Sequence, residues 1–227
     1  MTTGYSGSPG TYMIVLPGGG YAEHAPHEAE PVATWLGELG VQASVFRYPL
    51  NVRHPVPLTA LRAEISRRQA AGAQRIGLIG FSAGGHLAGL AALAPGVAPD
   101  QTVQFAVLGY AITSMETETY RPARLILLGE DANPQLRRST SLNSLVTPQS
   151  PPFFVWHTAE DPYVPTEHAY RFVSALAASG VSHAVHVFTH GPHSLGLAHG
   201  AGEAAIWTIL ANAWIHEQVS TAGQGCR

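Results

Sequence analysis

Five consecutive residues, Gly80-Phe81-Ser82-Ala83-Gly84, have the types and order of a nucleophile turn. They follow the apolar run Ile76, Leu78, Ile79 and precede the helix-like His86-Leu87-Ala88-Gly89-Leu90. A serine on a sharp strand-to-helix turn has strained backbone angles that only small neighbours tolerate, and its hydroxyl projects clear of the sheet where a base can reach it. The same pattern also occurs as an ordinary glycine-rich turn; a strand before it and a helix after it favour the nucleophile. A serine hydroxyl is a poor nucleophile until a base takes its proton, and that base needs an acid to fix its tautomer.

The other groups able to do chemistry narrow the field. Gly18-Gly19-Gly20 could cradle a phosphate, but no Gly-Lys-Ser/Thr follows it and no third glycine falls at dinucleotide spacing. His183, His186, His190 and His193 crowd one stretch, yet the first precedes a strand, the second lies in it and the third leaves it, and no His-Glu-x-x-His occurs. Ligands so dispersed do not converge on one point, so no metal is expected. All 12 cations are arginine, and the absence of lysine excludes Schiff-base and Ser-Lys chemistry. Cys226, beside the C-terminus, has no partner for an internal disulfide.

The elements that must position these groups alternate along the chain. Strands are expected over residues 11–16, 41–48, 75–81, 103–112, 152–158 and 184–188, and helices over 28–39, 56–71, 83–93, 165–178 and 203–219. The expected core stripes are Val32, Trp35, Leu36 and Leu39; Leu58, Leu61 and Ile65; Ala169, Phe172, Val173 and Leu176; and Ile206, Ile209, Leu210 and Ala213. About six strands separated mainly by helices imply an α/β fold, a mostly parallel sheet with helices on both faces. Ligands on such sheets bind at the carboxyl ends of the strands. The stretch 114–150 is the least legible. Leu125-Ile126-Leu127-Leu128 stopped by Gly129 favours a short helix with loops, and the segment is too short for a large lid.

At 227 residues and 45% hydrophobic, with no compositional break, one domain over 1–227 is expected. A net charge of −3 without a basic stripe argues against nucleic acid. No charged-then-apolar leader opens residues 1–9 and no apolar run approaches a membrane span, so a cytoplasmic protein without membrane partners is expected. Residues 221–225 read as a frayed tail. Surface aromatics in a chain only 12% charged make a homo-oligomer plausible.

Taken together, Pro17-Gly18-Gly19-Gly20-Tyr21, the serine turn through Gly85-His86, His157-Thr158-Ala159-Glu160-Asp161-Pro162-Tyr163-Val164-Pro165 and Gly191-Pro192-His193-Ser194-Leu195-Gly196-Leu197 resemble the landmarks of the α/β-hydrolase fold. More narrowly they are similar to small esterases grouped with acetylxylan esterases and feruloyl-esterase-like (BD-FAE type) hydrolases. The usual fold opens with two strands before the glycine loop, so the resemblance implies a minimal version lacking them. It also implies the chain order Ser, acid, His. Ser82 is then the nucleophile, Asp161 the acid after the sixth strand and His193 the base after the last one. Glu160, one residue from Asp161, and His190, three from His193, stay open as alternates; Asp131 and Asp100 are weaker, and Asp161 could instead cap the following helix. The oxyanion donors implied are the N–H of Ala83 and that of Gly19, with Gly20 close behind. Gly18, Tyr21 and His24 are the expected substrate-binding residues, with His27 also at the pocket mouth and His86 structural.

These residues lead to the expectation of a serine esterase acting on a small-molecule ester. It would work through an acyl-enzyme without cofactor, on short-acyl and possibly sugar-borne acetyl groups. An amide, formamide or peptide hydrolase on the same scaffold and a non-catalytic binding protein are the alternatives.

Overall fold

The computed structural model describes residues 10–220, so the readings made for residues 1–9, for 221–225 and for Cys226 lie outside the described residues. Six strands, β1 (Thr11–Leu16), β2 (Gln42–Val45), β3 (Arg75–Phe81), β4 (Phe105–Gly109), β5 (Phe153–Thr158) and β6 (His183–Phe188), form one sheet in the order β2-β1-β3-β4-β5-β6. Every neighbouring pair is parallel, with registers such as Ile14 beside Leu78, Ile79 beside Val107 and Val155 beside Val185. Strands covered on both faces lose the polar alternation of a half-solvated sheet, which is why β1, β3, β4 and β5 read as apolar runs.

Helices α1 (Glu30–Glu38) and α7 (Trp207–Ser220) cover one face, where Val32, Leu36, Trp207 and Ile215 pack on Met13, Val15, Ile79 and Val107. The other face is covered by α2 (Val56–Ala70), α3 (Ser82–Leu93) and α6 (Glu167–Ala178), through Leu58, Leu61, Ile65, Leu87, Phe172 and Leu176 on Ile14, Leu78, Ala106 and Val155. The chain steps outward from β1 to β2, then returns past β1 to β3, so the loops after β1 and β3 leave toward opposite faces and open a crevice between them. That crevice holds the glycine loop on one side and Ser82 on the other. Among the described residues no helix is long and apolar enough to cross a membrane.

Three expectations change. The strands expected over 41–48 and 103–112 are shorter, Gln42–Val45 and Phe105–Gly109, and the second ends where Gly109 is followed by Tyr110 with φ 35°. Residues 114–150 hold two short helices, α4 (Arg121–Leu128) and α5 (Pro134–Ser139), and a 3-10 turn at Leu142–Ser144. The core face of the last helix is also different. Gly202–Ile206 forms a 3-10 turn and α7 starts at Trp207, so Ile206 and Ile209 are 46% and 69% exposed, Ala213 faces out, and Leu210 is half-buried. The buried face is Trp207, Ala211, Trp214, Ile215 and Val219. Apolar residues run all round this helix, so periodicity carries little orientation, and the large indoles decide. Trp207 stacks on Trp156 at 4.8 Å, and Trp214 meets Phe105 and Phe154 at 5.9 and 5.8 Å.

Candidate active site

Ser82 follows β3 directly and opens α3 with φ 51°, a left-handed angle that a serine adopts only when its surroundings hold it there. Those surroundings demand glycine. A Cβ on Gly80 would strike the carbonyl of Gly84, and one on Gly84 the carbonyls of Leu16 and Pro17 at the end of β1. The turn is therefore packed against the root of the glycine loop.

Asp161 lies three residues past β5 and His193 five past β6, and both reach Ser82 at the carboxyl edge of the sheet. His193 Nε2 is 2.8 Å from Ser82 Oγ, and His193 Nδ1 is 2.6 Å from Asp161 Oδ2. A carboxylate oxygen can only accept, so Nδ1 carries the proton and the Nε2 lone pair faces the serine hydroxyl. The other Asp161 oxygen accepts the backbone N–H groups of Tyr163 and Val164 at 2.9 Å each. Burial pushes the Asp161 carboxyl up, but the His193 hydrogen bond, that ring's charge and the two backbone donors outweigh it, and the net position is below the usual value. Two rings meet the imidazole, Tyr110 at 5.0 Å and Tyr163 at 5.8 Å.

Gly19 and Gly20, with φ 118° and 64°, line a cleft of about 430 Å³ together with Ser82 and His193. Ala83 supplies a first-turn N–H of α3, which has no acceptor inside its own helix. One wall is aromatic, from Tyr120 ahead of α4 and Tyr163, whose rings meet edge-on at 5.6 Å and are 38% and 55% exposed. Glu23, His27 and Ser194 also line the cleft.

Three of the expected binding residues stand elsewhere. Tyr21 is fully buried and donates its hydroxyl to His86 Nδ1 at 2.7 Å, while His86 Nε2 donates to the Thr140 carbonyl, also at 2.7 Å. His24 turns away from the cleft onto the ring of Tyr48, at 4.7 Å. Gly18 gives its N–H to the Glu28 carboxylate at 2.6 Å, and a Cβ there would press on Glu28, Phe81 and Ser82. The loop reaches the cleft at Gly19 and Gly20, while the Gly18 N–H before them and the Tyr21 and His24 side chains after them turn back to the buried partners Glu28, His86 and Tyr48. His27, Tyr120 and Tyr163 take the lining positions instead.

The alternate acid and base pair with each other: His190 Nδ1 is 2.9 Å from Glu160 Oε1, on the surface and away from Ser82. His183 bonds the Val181 carbonyl, and His186 lies against Phe154. Among the described residues no three His, Cys, Asp or Glu side chains gather as a metal site would require. Glu28, Tyr110 and Tyr120 carry no motif that sequence reading could seize; Tyr163 stood inside the acid loop and Ser194 beside His193, and that placement was the one signal of each.

A family model described as BD-FAE matches residues 66–176. The structure is similar to that of an acetyl ester-xyloside bifunctional hydrolase from Caldicellulosiruptor lactoaceticus, at 35% identity over 91% of this chain and 82% of that one, with a TM-score of 0.87. The chain is also 30% identical over 207 residues to endo-1,4-beta-xylanase B of Butyrivibrio fibrisolvens, covering 82% of this chain and 32% of that protein. It is 26% identical over 202 residues to the acetylxylan esterase of Xylanibacter ruminicola, covering 82% of this chain and 41% of that protein. It thus spans well under half the length of these two curated relatives. With the parallel sheet, the serine turn after β3 and a likeness that runs through most of both chains, the protein belongs to the α/β-hydrolase superfamily, in its BD-FAE type esterase group.

Proposed function

We propose that this chain is a serine carboxylic-ester hydrolase for short-acyl, acetyl-type esters, with acetylated sugars as the favoured substrates. The observation that carries the reading is the hydrogen-bonded line from Ser82 through His193 to Asp161, at 2.8 and 2.6 Å, which ends in the cleft. His193 Nε2 takes the Ser82 proton as Oγ attacks the ester carbonyl. The oxyanion is held by the Ala83 N–H and the glycine-loop N–H of Gly19 or Gly20, donors each worth about 3 kcal/mol or more in such sites. The alcohol leaves with the proton from His193, water repeats the sequence on the acyl-enzyme, and the acid is released. Asp161 holds the tautomer and stabilises the imidazolium.

The cleft supports the substrate class. Tyr120 and Tyr163 bring apolar rings to the cleft, and Glu23, His27 and Ser194 also line it and bring polar groups, a combination suited to the C–H face and hydroxyl rim of a sugar. The C. lactoaceticus hydrolase and the X. ruminicola esterase carry acetyl-ester and acetylxylan activity in their names, which adds an analogy.

The test is turnover of acetyl, butyryl and palmitoyl p-nitrophenyl esters and of acetylated xylose, beside Ser82→Ala and a serine-directed phosphonate. Acetyl esters are expected to turn over fastest, Ser82→Ala to lose on the order of 10⁴-fold or more, and the phosphonate to label Ser82. Wild-type rates in a folded Ser82→Ala protein would refute the mechanism. Palmitoyl turnover matching acetyl would refute the acyl preference, and turnover confined to N-formyl or peptide substrates would make the site an amidase.

A further inference from the structure

Behind the cleft lies a carboxylate that the mechanism does not use. Glu28 ends the short turn Pro26–Glu28 ahead of α1, and its side chain is fully buried. Its Oε2 accepts the Gly18 N–H at 2.6 Å, and its Oε1 accepts the hydroxyls of Tyr110 at 2.8 Å and Ser194 at 2.7 Å. The Tyr110 oxygen in turn accepts the Gly196 N–H at 2.8 Å, and its ring lies against His193. Gly18 immediately precedes the glycines of the cleft, and Ser194 immediately follows His193. One side chain therefore ties the loop after β1 to the loop after β6.

Both loops need holding. Gly19 and Gly20 on one side, and Ser194 and Gly196 at φ 65° and 54° on the other, all sit at left-handed angles, and Ser194 is the residue for which that costs most. A buried carboxylate is itself costly unless its oxygens are satisfied. Here three donors satisfy it, while the nearest cation candidate, His27 Nε2, is 3.6 Å away on a half-exposed ring. Packing alone would be served by an uncharged side chain. Burial, then the Glu28 charge, pushes the Tyr110 phenol well up, which keeps it a donor.

On the ester-hydrolase reading above, we propose that Glu28 is a positioning residue: it holds the glycine loop and the His193 loop in register with Ser82, so that base and oxyanion donors meet the same carbonyl. Glutamine cannot replace it. With its NH₂ toward Gly18 it sets donor against donor; with its NH₂ toward Tyr110 and Ser194 it meets a phenol that already accepts from Gly196, and the phenolic proton loses its acceptor.

The experiment compares wild type, Ser82→Ala, Glu28→Gln and Ser194→Ala on p-nitrophenyl acetate, with kcat expressed per site titrated by phosphonate for the three proteins that keep Ser82, so that misfolded protein does not count, and per mole of folded protein for Ser82→Ala. Glu28→Gln is expected to lower kcat on the order of 100-fold, the cost of misplacing reacting groups by about 1 Å, with KM within about threefold. Ser194→Ala should lower kcat roughly tenfold, the worth of one hydrogen bond to a charged acceptor. A Glu28→Gln kcat within about threefold of wild type, or a raised KM with kcat unchanged, overturns the proposal. If Glu28→Gln does not fold, a wild-type kcat in Ser194→Ala overturns it instead. A wild type without Ser82-dependent turnover would refute the ester reading separately. The brace is then judged by the far-downfield proton resonance of the His193–Asp161 hydrogen bond: its broadening in either variant supports the brace, and unchanged lines in both overturn it.

Discussion

Replacing Asp161 by asparagine tests the site most directly, because the structure dictates how the new side chain must sit. Asp161 Oδ1 takes two backbone donors, Tyr163 and Val164, at 2.9 Å each. An amide NH₂ there would face two N–H groups, so the carboxamide oxygen keeps that place and the NH₂ is turned toward His193 Nδ1. The imidazole must then accept at Nδ1 and carry its proton on Nε2, where it points at Ser82 Oγ and cannot act as a base. The same inversion of tautomer in serine proteases costs about 10⁴ in kcat, equivalent to about 5 kcal/mol of transition-state stabilisation. Because both backbone hydrogen bonds survive, the thermal midpoint should stay within a few degrees, on the order of 1 kcal/mol of stability. The assay is kcat on p-nitrophenyl acetate at pH 8, beside a melting curve and the control Glu160→Gln. Glu160→Gln should stay within about twofold of wild type, since that carboxylate is exposed and paired with His190. An Asp161→Asn enzyme that folds and keeps more than a tenth of wild-type kcat would refute the assignment of acid and tautomer.

Two further predictions concern the fold. His86 is fully buried, accepting from Tyr21 and donating to Thr140, and burial lowers its pKa from 6.5 to about 4. The unfolded chain takes up that proton first, so the His86 contribution is complete above about pH 6.5 and is lost as pH falls toward about 4, on the order of 3 kcal/mol; urea midpoints at pH 7.5 and 4.5 should show the loss, and His86→Gln should reduce it, leaving the part due to His168, which burial also lowers to about 4. A slope identical in wild type and His86→Gln would refute this. On α7, Trp207→Ala should cost about 3–5 kcal/mol by removing the ring stacked on Trp156, while Ile209→Ala should stay within about 0.5 kcal/mol. Equal denaturation midpoints for the two variants would contradict the orientation of the helix.

Legibility followed the range of the physics involved. Where glycine is demanded by its own turn, as Gly80 is by the Gly84 carbonyl, or where a strand buried on both faces is written as an unbroken apolar run, as in β1 and β3, the signal lies within a few residues and can be read directly. The inward set of α2, Leu58, Leu61 and Ile65, was legible because the arginines beside it mark the solvent side. On α7 no polar stripe contrasts with an apolar one, and contacts with β4 and β5 choose the face. Tyr21 and His24 show the limit in the site itself. They stand next to the glycine loop in sequence, but the loop's positive-φ turns aim them into the core, toward His86 and Tyr48.

Residue types and spacing by themselves determined the chemistry on offer: a serine on a strained turn, a carboxylate and a histidine after later strands, and a glycine loop free of side chains. These are local signals, since each states what one turn can do. Tertiary structure alone decided which groups meet. Parallel strand order brings turns more than a hundred residues apart to one edge of the sheet, chooses Asp161 and His193 over Glu160 and His190 as the pair beside Ser82, and draws Tyr120 from an illegible segment into the wall of the cleft. It also buries Glu28 where two loops cross, a position no local pattern encodes, because the groups that satisfy its carboxylate come from three separate stretches of chain.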